Sequence, residues 1–167
     1  SPMLGKYLTN AIFRIANLPG DTHPKRINEF DFSQLQKFEA ILRKYGYSLI
    51  KFDSILEFGC GHGRLLKLVS EITTTAKLYG CDVNKDSVNL ARKNCRNGSF
   101  QVNNIRPPLF YEHSQFDFIY AYSIFTHLTE ELHISWLGEL SSKLRPGGIA
   151  ILSTHSEEVF KRMQVFS

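Results

Sequence analysis

Four groups of residues in this chain have types and spacings suited to holding a polar ligand. They are the acid and glycines of Glu57-Phe58-Gly59-Cys60-Gly61-His62-Gly63, the acid Asp82, the amides Asn103 and Asn104, and His127 in Tyr122-Ser123-Ile124-Phe125-Thr126-His127-Leu128. Three glycines at alternating positions, after the apolar run Ile55 to Phe58 and before Leu65, Leu66, Leu68 and Val69, read as strand, turn and helix start. Glycine tolerates the backbone angles such a turn demands, and its missing Cβ lets a ligand approach the backbone. A phosphate-binding loop would end in Gly-Lys-Ser/Thr, and a dinucleotide fingerprint would set its third glycine three residues after the second. Here Gly61 and Gly63 are two apart. Glu57 points instead to a ligand with positive charge or hydrogen-bond donors near the turn.

Asp82 closes the run Lys77-Leu78-Tyr79-Gly80-Cys81-Asp82, nineteen residues beyond Gly63. At that distance the second strand of a βαβ unit delivers an acid to its C-terminal edge, where a carboxylate accepts from both hydroxyls of a ribose. The competing role is to cap the following helix, for which Asn84 and Asp86 are also available. Asn103 and Asn104 sit between a short strand and Pro107-Pro108, and they suit either a ligand contact or a polar turn. His127 follows the strand Phe116 to Ala121, in the kind of loop where open α/β sheets bind ligands.

The elements that must position these residues follow from periodicity. Leu4 to Ala16 is loosely helical and ends in the turn cluster Asn17-Leu18-Pro19-Gly20-Asp21. Asp31 and Gln34 imitate a capping box, and Leu35, Phe38, Leu42 and Tyr45 then recur at helical spacing as far as Gly46. Helices are predicted over 65–72 and 85–97, and strands over 77–82, 99–102, 116–121 and 149–153. Thr129 opens a helix whose face carries Leu132, Trp136, Leu137, Leu140 and Leu144, with Trp136 read as core. Leu144-Arg145-Pro146-Gly147-Gly148 reads as helix stop and turn, and Glu157 to Val165 as one more helix.

A chain of 167 residues with 43% hydrophobic and 22% charged content suits one soluble domain. The formal charge of +4 is spread along the chain, so a nucleic-acid partner is not expected. No apolar run reaches membrane-spanning length, and no signal-peptide core opens the chain. Cys60, Cys81 and Cys95 form no CxxC pair, which suggests reduced thiols, a cytoplasmic location and no metal. Ser1-Pro2 ahead of Met3 reads as the remnant of an expression tag.

The ordered series from Phe52 to His155 resembles the class I S-adenosylmethionine-dependent methyltransferases, and its Gly-Cys-Gly-x-Gly-Arg and Ser-x-Phe-Thr-His-Leu variants are similar to bacterial small-molecule and glycan-associated members. The resemblance implies a Rossmann-like α/β sandwich with a mostly parallel sheet in the order 3-2-1-4-5. It implies S-adenosylmethionine as cofactor and S-adenosylhomocysteine as product. The cofactor site would take Glu57, Gly59, Cys60, Gly61 and Gly63 at the methionine part and Asp82 with Val83 at the ribose. Asn103 or Asn104 would meet the adenine with Ile105 over the ring, and Tyr122 and Ser123 would lie nearby. His127 is the candidate base for an oxygen or nitrogen acceptor, or else fixes its loop.

Residues 1–50 would form an N-terminal helical cap and 51–167 the cofactor-binding core. The acceptor would be a small molecule or glycan, with no membrane partner. A catalytically silent module that binds cofactor or a protein is the alternative, and a nicotinamide-dependent oxidoreductase is disfavoured by the glycine spacing. About twelve residues follow the fifth strand, too few for the antiparallel hairpin that the resemblance implies. The expectation is therefore either a truncated chain, or a natural short form whose fifth-strand edge is left exposed or covered by another chain as in a homo-oligomer.

Overall fold

The computed structural model describes residues 11–16 and 29–154. Strand β1 (Ala11–Ala16) and helix α1 (Glu29–Lys44) precede β2 (Ser54–Phe58), α2 (Arg64–Ile72), β3 (Lys77–Asp82), α3 (Lys85–Asn94) and β4 (Gly98–Val102). Then come β5 (Phe116–Ala121), α4 (Glu130–Lys143) and β6 (Leu144–Thr154). The six strands make one sheet in the order β1-β6-β5-β2-β3-β4, with every pairing parallel. The five strands from β2 onward thus keep the predicted 3-2-1-4-5 order. From β2 the chain winds outward to β3 and β4, then returns to the other side for β5 and β6. The C-terminal ends of β2 and β5 therefore flank the point where winding reverses, which is where such sheets open a crevice.

Side chains alternate across the strands, so each strand feeds two cores. On one face Ile55, Leu78, Phe100, Phe118, Tyr120, Ile149 and Ile151 pack with Leu35, Phe38 and Leu42 of α1, Leu66 and Val69 of α2, and Val88 and Ala91 of α3. On the other face Leu56, Phe58, Cys81, Phe116, Ile119, Ala150 and Leu152 meet Trp136 and Leu140 of α4 and Leu109 and Tyr111 of the connection before β5. Burial on both faces explains why the strands read as nearly continuous apolar runs. Among the described residues no helix is long and apolar enough to cross a membrane.

Five expectations are corrected. Residues 11–16 form a strand, not a helix, because β6 offers them a full parallel register from Ala11–Ile149 to Ala16–Thr154. That pairing also occupies the β6 edge expected to be bare or held by another chain. Helix α1 begins at Glu29, so Asp31 and Gln34 lie inside its first turns as buried side chains rather than in a capping box. Finally, α4 stops at Lys143 as expected, but Leu144-Arg145-Pro146-Gly147-Gly148 belongs to β6 instead of forming a separate turn, with Gly147 at φ 80° and a register irregularity against β5 between Phe116 and Phe118. Helix α3 also stops at Asn94, three residues early. The segment 157–165 and residues 4–10 lie outside the described residues.

Asp117, at the start of β5, accepts from the N–H groups of Asp53 and Ser54 at 2.7 and 2.9 Å and pairs with Arg145 Nε of β6 at 2.8 Å. One carboxylate thus sets the starts of three adjacent strands. Asp117→Ala is expected to cost about 2 kcal/mol, the loss of charge-assisted bonds to two backbone donors. Urea unfolding checks this, and an unchanged midpoint would show that the three strand starts do not depend on it.

Candidate cofactor site

The glycine turn is bonded from three sides. The N–H groups of Gly59 and Cys60 both donate to the carbonyl of Cys81 at 2.8 and 2.9 Å, joining the end of β2 to the end of β3. The N–H of Gly61 donates to Asp82 Oδ2 at 2.8 Å, and the N–H of Asn84 donates to Asp82 Oδ1 at 2.9 Å. The side chain of Asn94 on α3 donates to the carbonyl of His62 at 2.9 Å. Asn84 caps α3 by accepting from the Ser87 N–H at 2.9 Å. The capping role considered for Asp82 therefore falls to its neighbour, and the Asp82 carboxylate faces the turn.

Gly63 stands at the N-cap of α2 with φ 74°, and glycine has no side chain to cap a helix. Glu57 fills that role from below, because alternation along β2 turns it, like Ile55, toward the helix layer. Its Oε2 accepts the N–H of Leu66 at 3.1 Å. Tyr120 is its register partner on β5, and the buried Tyr120 hydroxyl lies beside the carboxyl without meeting it in hydrogen-bonding geometry. Burial raises the Glu57 pKa to about 8, opposed by the Leu66 N–H and by Arg64. Burial likewise pushes the Cys60 and Cys81 thiols far above their usual range.

An open cleft of about 210 Å³ lies over the ends of β2, β3 and β5. Gly59 and Phe58 form its floor, Asp82 and Val83 one side, Asn103, Asn104 and Ile105 another, and Ile124, His127, Leu128 and Trp136 the remainder. Of the residues singled out from sequence, Gly59, Asp82, Val83, Asn103, Asn104, Ile105 and His127 meet here. Glu57, Cys60, Gly61, Gly63, Tyr122 and Ser123 do not line this cleft. Cys60 is buried, and Tyr122 packs against Phe30 and Phe38 of α1. Ser123 takes a left-handed φ of 57°, and its N–H donates to Ser153 Oγ at 2.6 Å. Non-glycine residues in this region store strain of roughly 1 kcal/mol or more.

His127 sits exposed at the end of the short 3₁₀ turn Phe125–His127. Phe58, Ile124, Leu128 and Trp136 were not anticipated as lining residues. Trp136 is core as predicted, only 1% exposed, yet its edge reaches the cleft and its Nε1 donates to the Ile105 carbonyl at 3.1 Å. An indole N–H needs a partner when buried, and that requirement is the one sequence signal that could have tied Trp136 to a loop.

Three observations test whether these residues fit an adenosine bearing an amino-acid tail. Asp82 spends two carboxylate lone pairs on backbone N–H groups and retains others for ribose hydroxyls. Asn103 Oδ1 is a buried acceptor with no partner, while its Nδ2 donates to the Asn104 carbonyl at 2.8 Å. Val83 and Ile105 expose apolar surface at 53% and 68% on the cleft walls, suited to the two faces of a planar ring. The residues present fit.

A doubly wound parallel sheet with this glycine turn, an acid at the end of its second strand and a cleft above both defines the class I S-adenosylmethionine-dependent methyltransferase fold. The chain belongs to the methyltransferase domain family, which residues 55–148 match. It superposes on the PH0226 protein of Pyrococcus horikoshii with a TM-score of 0.66 and 23% identity over 82% of this chain and 64% of that one. A TehB-like SAM-dependent methyltransferase from Corynebacterium glutamicum gives 0.56 and 20% over 73% and 71%. The plantazolicin methyltransferase BpumL, in complex with a pentazolic desmethylPZN analog and S-adenosylhomocysteine, gives 0.63 and 19% over 82% and 51%. At such identities these likenesses speak for the fold, and the chain spans only about half to two thirds of PH0226 and BpumL.

Two predictions follow from the turn. A Cβ on Gly59 would lie 2.2 Å from Ile124 Cδ1 at φ 76°, whereas a Cβ on Gly61 at φ 50° would meet nothing within 4 Å. Gly59→Ala is therefore expected to lower the melting temperature clearly more than Gly61→Ala, which costs only about 1 kcal/mol of backbone strain. Equal losses would contradict the packing. For Glu57, a folded pKa raised from 4.5 to about 8 means the native carboxyl holds a proton that the unfolded one has released. Stability from this group is complete below 4.5 and is lost as pH rises through about 8. Glu57→Gln should flatten the decline in stability over that window, as read by urea unfolding at several pH values. An identical decline in the variant would contradict the assignment.

Proposed function

We propose that this chain holds S-adenosylmethionine in the cleft and transfers its methyl group to an oxygen or nitrogen atom of a small-molecule or sugar-containing acceptor. The observation that carries this reading is that Asp82, Val83, Asn103 and Ile105 converge on one cleft beside a turn whose Gly61 N–H is held by Asp82 itself. The bound cofactor would supply a methyl group already activated on a sulfonium centre. Asp82 binds the ribose hydroxyls, and the Asn103 amide oxygen accepts from the adenine amino group. Val83 and Ile105 exclude water from the faces of the ring. The turn from Gly59 to Gly63 would hold the methionine part, with Tyr122 and Ser123 nearby.

Methyl transfer asks little more of the protein than alignment and, for an oxygen or nitrogen acceptor, removal of a proton. His127, exposed at the rim, is the group we assign to that proton. A small-molecule acceptor is supported by BpumL, whose structure holds a desmethyl analog together with S-adenosylhomocysteine. We divide the chain into an N-terminal segment to residue 50, containing β1 and α1, and a cofactor-binding core from 51 to 167. Three free, buried cysteines support a reducing compartment and hence a cytoplasmic protein.

Calorimetric titration tests the reading. S-adenosylmethionine and S-adenosylhomocysteine should bind with micromolar affinity and NAD should not bind. Asp82→Ala should weaken both by about tenfold or more, the loss of a charge-assisted hydrogen bond. Unchanged affinity in the variant would remove Asp82 from the ribose, and no binding by the folded wild type would favour the silent-module alternative. Binding that persists without transfer to any acceptor would favour that alternative too.

A further inference from the structure

The wall that carries Asn103, Asn104 and Ile105 is not held in place by the sheet alone. Residues 103–111 leave β4 with one anchor, the Asn103 N–H donating to the Asp82 carbonyl at 3.0 Å. They return to β3 through the Tyr111 hydroxyl, which donates to the Gly80 carbonyl at 3.1 Å. Between these anchors lie Pro107 and Pro108, which have no N–H to contribute to local structure.

Helix α4 supplies what is missing. Trp136, Glu139 and Lys143 are spaced three and four residues apart and so share one helix face. Trp136 Nε1 donates to the Ile105 carbonyl at 3.1 Å, and the Leu109 N–H donates to Glu139 Oε1 at 2.8 Å. Lys143 Nζ donates to the Tyr111 carbonyl at 2.7 Å and pairs with Glu139 Oε1 at 3.3 Å. The three contacts land on residues 105, 109 and 111 in order along the segment. The Glu139 and Lys143 side chains are 15% and 5% exposed. An ion pair so deeply buried adds little net stability over an apolar pair of similar size, so its bonds to the segment are its distinctive contribution. The outer pair Arg106–Glu131 is 63% and 70% exposed and is worth little.

We propose that Glu139 and Lys143, which do not line the cleft, are positioning residues for its adenine wall, and that they tune affinity and selectivity for the nucleobase by fixing residues 105–111. This rests on the cofactor reading above. With both side chains made apolar, the Leu109 N–H and the Tyr111 carbonyl lose their partners, Tyr111 keeps only its hydroxyl bond to Gly80 and Ile105 only Trp136, and the wall samples positions in which the Asn103 amide no longer matches the base.

The test is the double variant Glu139→Leu/Lys143→Met, which removes both charges together so that neither is left buried and unpaired. Wild type and variant are titrated with S-adenosylhomocysteine and with S-inosylhomocysteine, in which an oxo group replaces the adenine amino group, and both proteins are melted. The expected result is that the variant loses about tenfold in affinity for S-adenosylhomocysteine and clearly less for the inosine compound, so that wild-type preference for adenine shrinks. A merely structural role would weaken both ligands alike, and that result, or no change in either, overturns the proposal. Should the double variant fail to fold, Glu139→Gln is measured by the same criterion, with a smaller loss expected. Absence of binding by wild type would instead show that the cofactor reading has failed and would take this inference with it.

Discussion

The structure depends on a turn that has been fixed before any ligand arrives. Three glycines give the chain freedom to leave β2 and enter α2 within a few residues, and that freedom would leave the turn loose unless something else held it. Two acidic side chains do so. Asp82 takes the Gly61 N–H from the side, and Glu57 takes the Leu66 N–H from beneath, where Gly63 offers no cap. Both acids reach the turn because the parallel register of β2 on β3 sets Phe58 opposite Cys81, so the two strands end together. Preorganisation of this kind reduces the ordering cost that a ligand would otherwise bear.

From that constraint the division of labour follows. The face with α1, α2 and α3 buries Glu57 and Tyr120, which gives the turn a polar support inside an apolar core. The opposite face, with α4, controls the wall formed by residues 103–111. The cleft therefore draws its floor from the strand ends, one side from β3 and another from a connection whose position depends on a helix remote in sequence. Family membership and fold agree with this arrangement.

Much of this was legible in the sequence. The glycine turn and the acid nineteen residues later are local signals with fixed spacing, the order of the five strands is what the family resemblance implies, and all of them appear where expected. What escaped notice depends on distant partners. Ala11–Ala16 carries apolar residues that suit a helix or a strand, and only the open edge of β6 decides between them. Leu144 to Gly148 contains turn residues that stay inside a strand as an irregularity, because Leu144 and Ile149 on either side of them pair with Phe116 and Phe118 of β5. Glu57, placed just before the glycine turn, points to a ligand with positive charge or donors, and in the fold its carboxyl bonds a helix end. Trp136 was assigned to the core, correctly, but nothing local showed that its indole N–H would also hold a cleft wall.

The claim that the turn is held before binding is tested most directly by amide hydrogen exchange in the free chain, read residue by residue at Gly61 and Leu66. Bonds to Asp82 and Glu57 predict that both amides exchange well below the rate of an unstructured peptide. Exchange at the unprotected rate in the folded, ligand-free protein would contradict the account and mean that the turn forms only around its ligand.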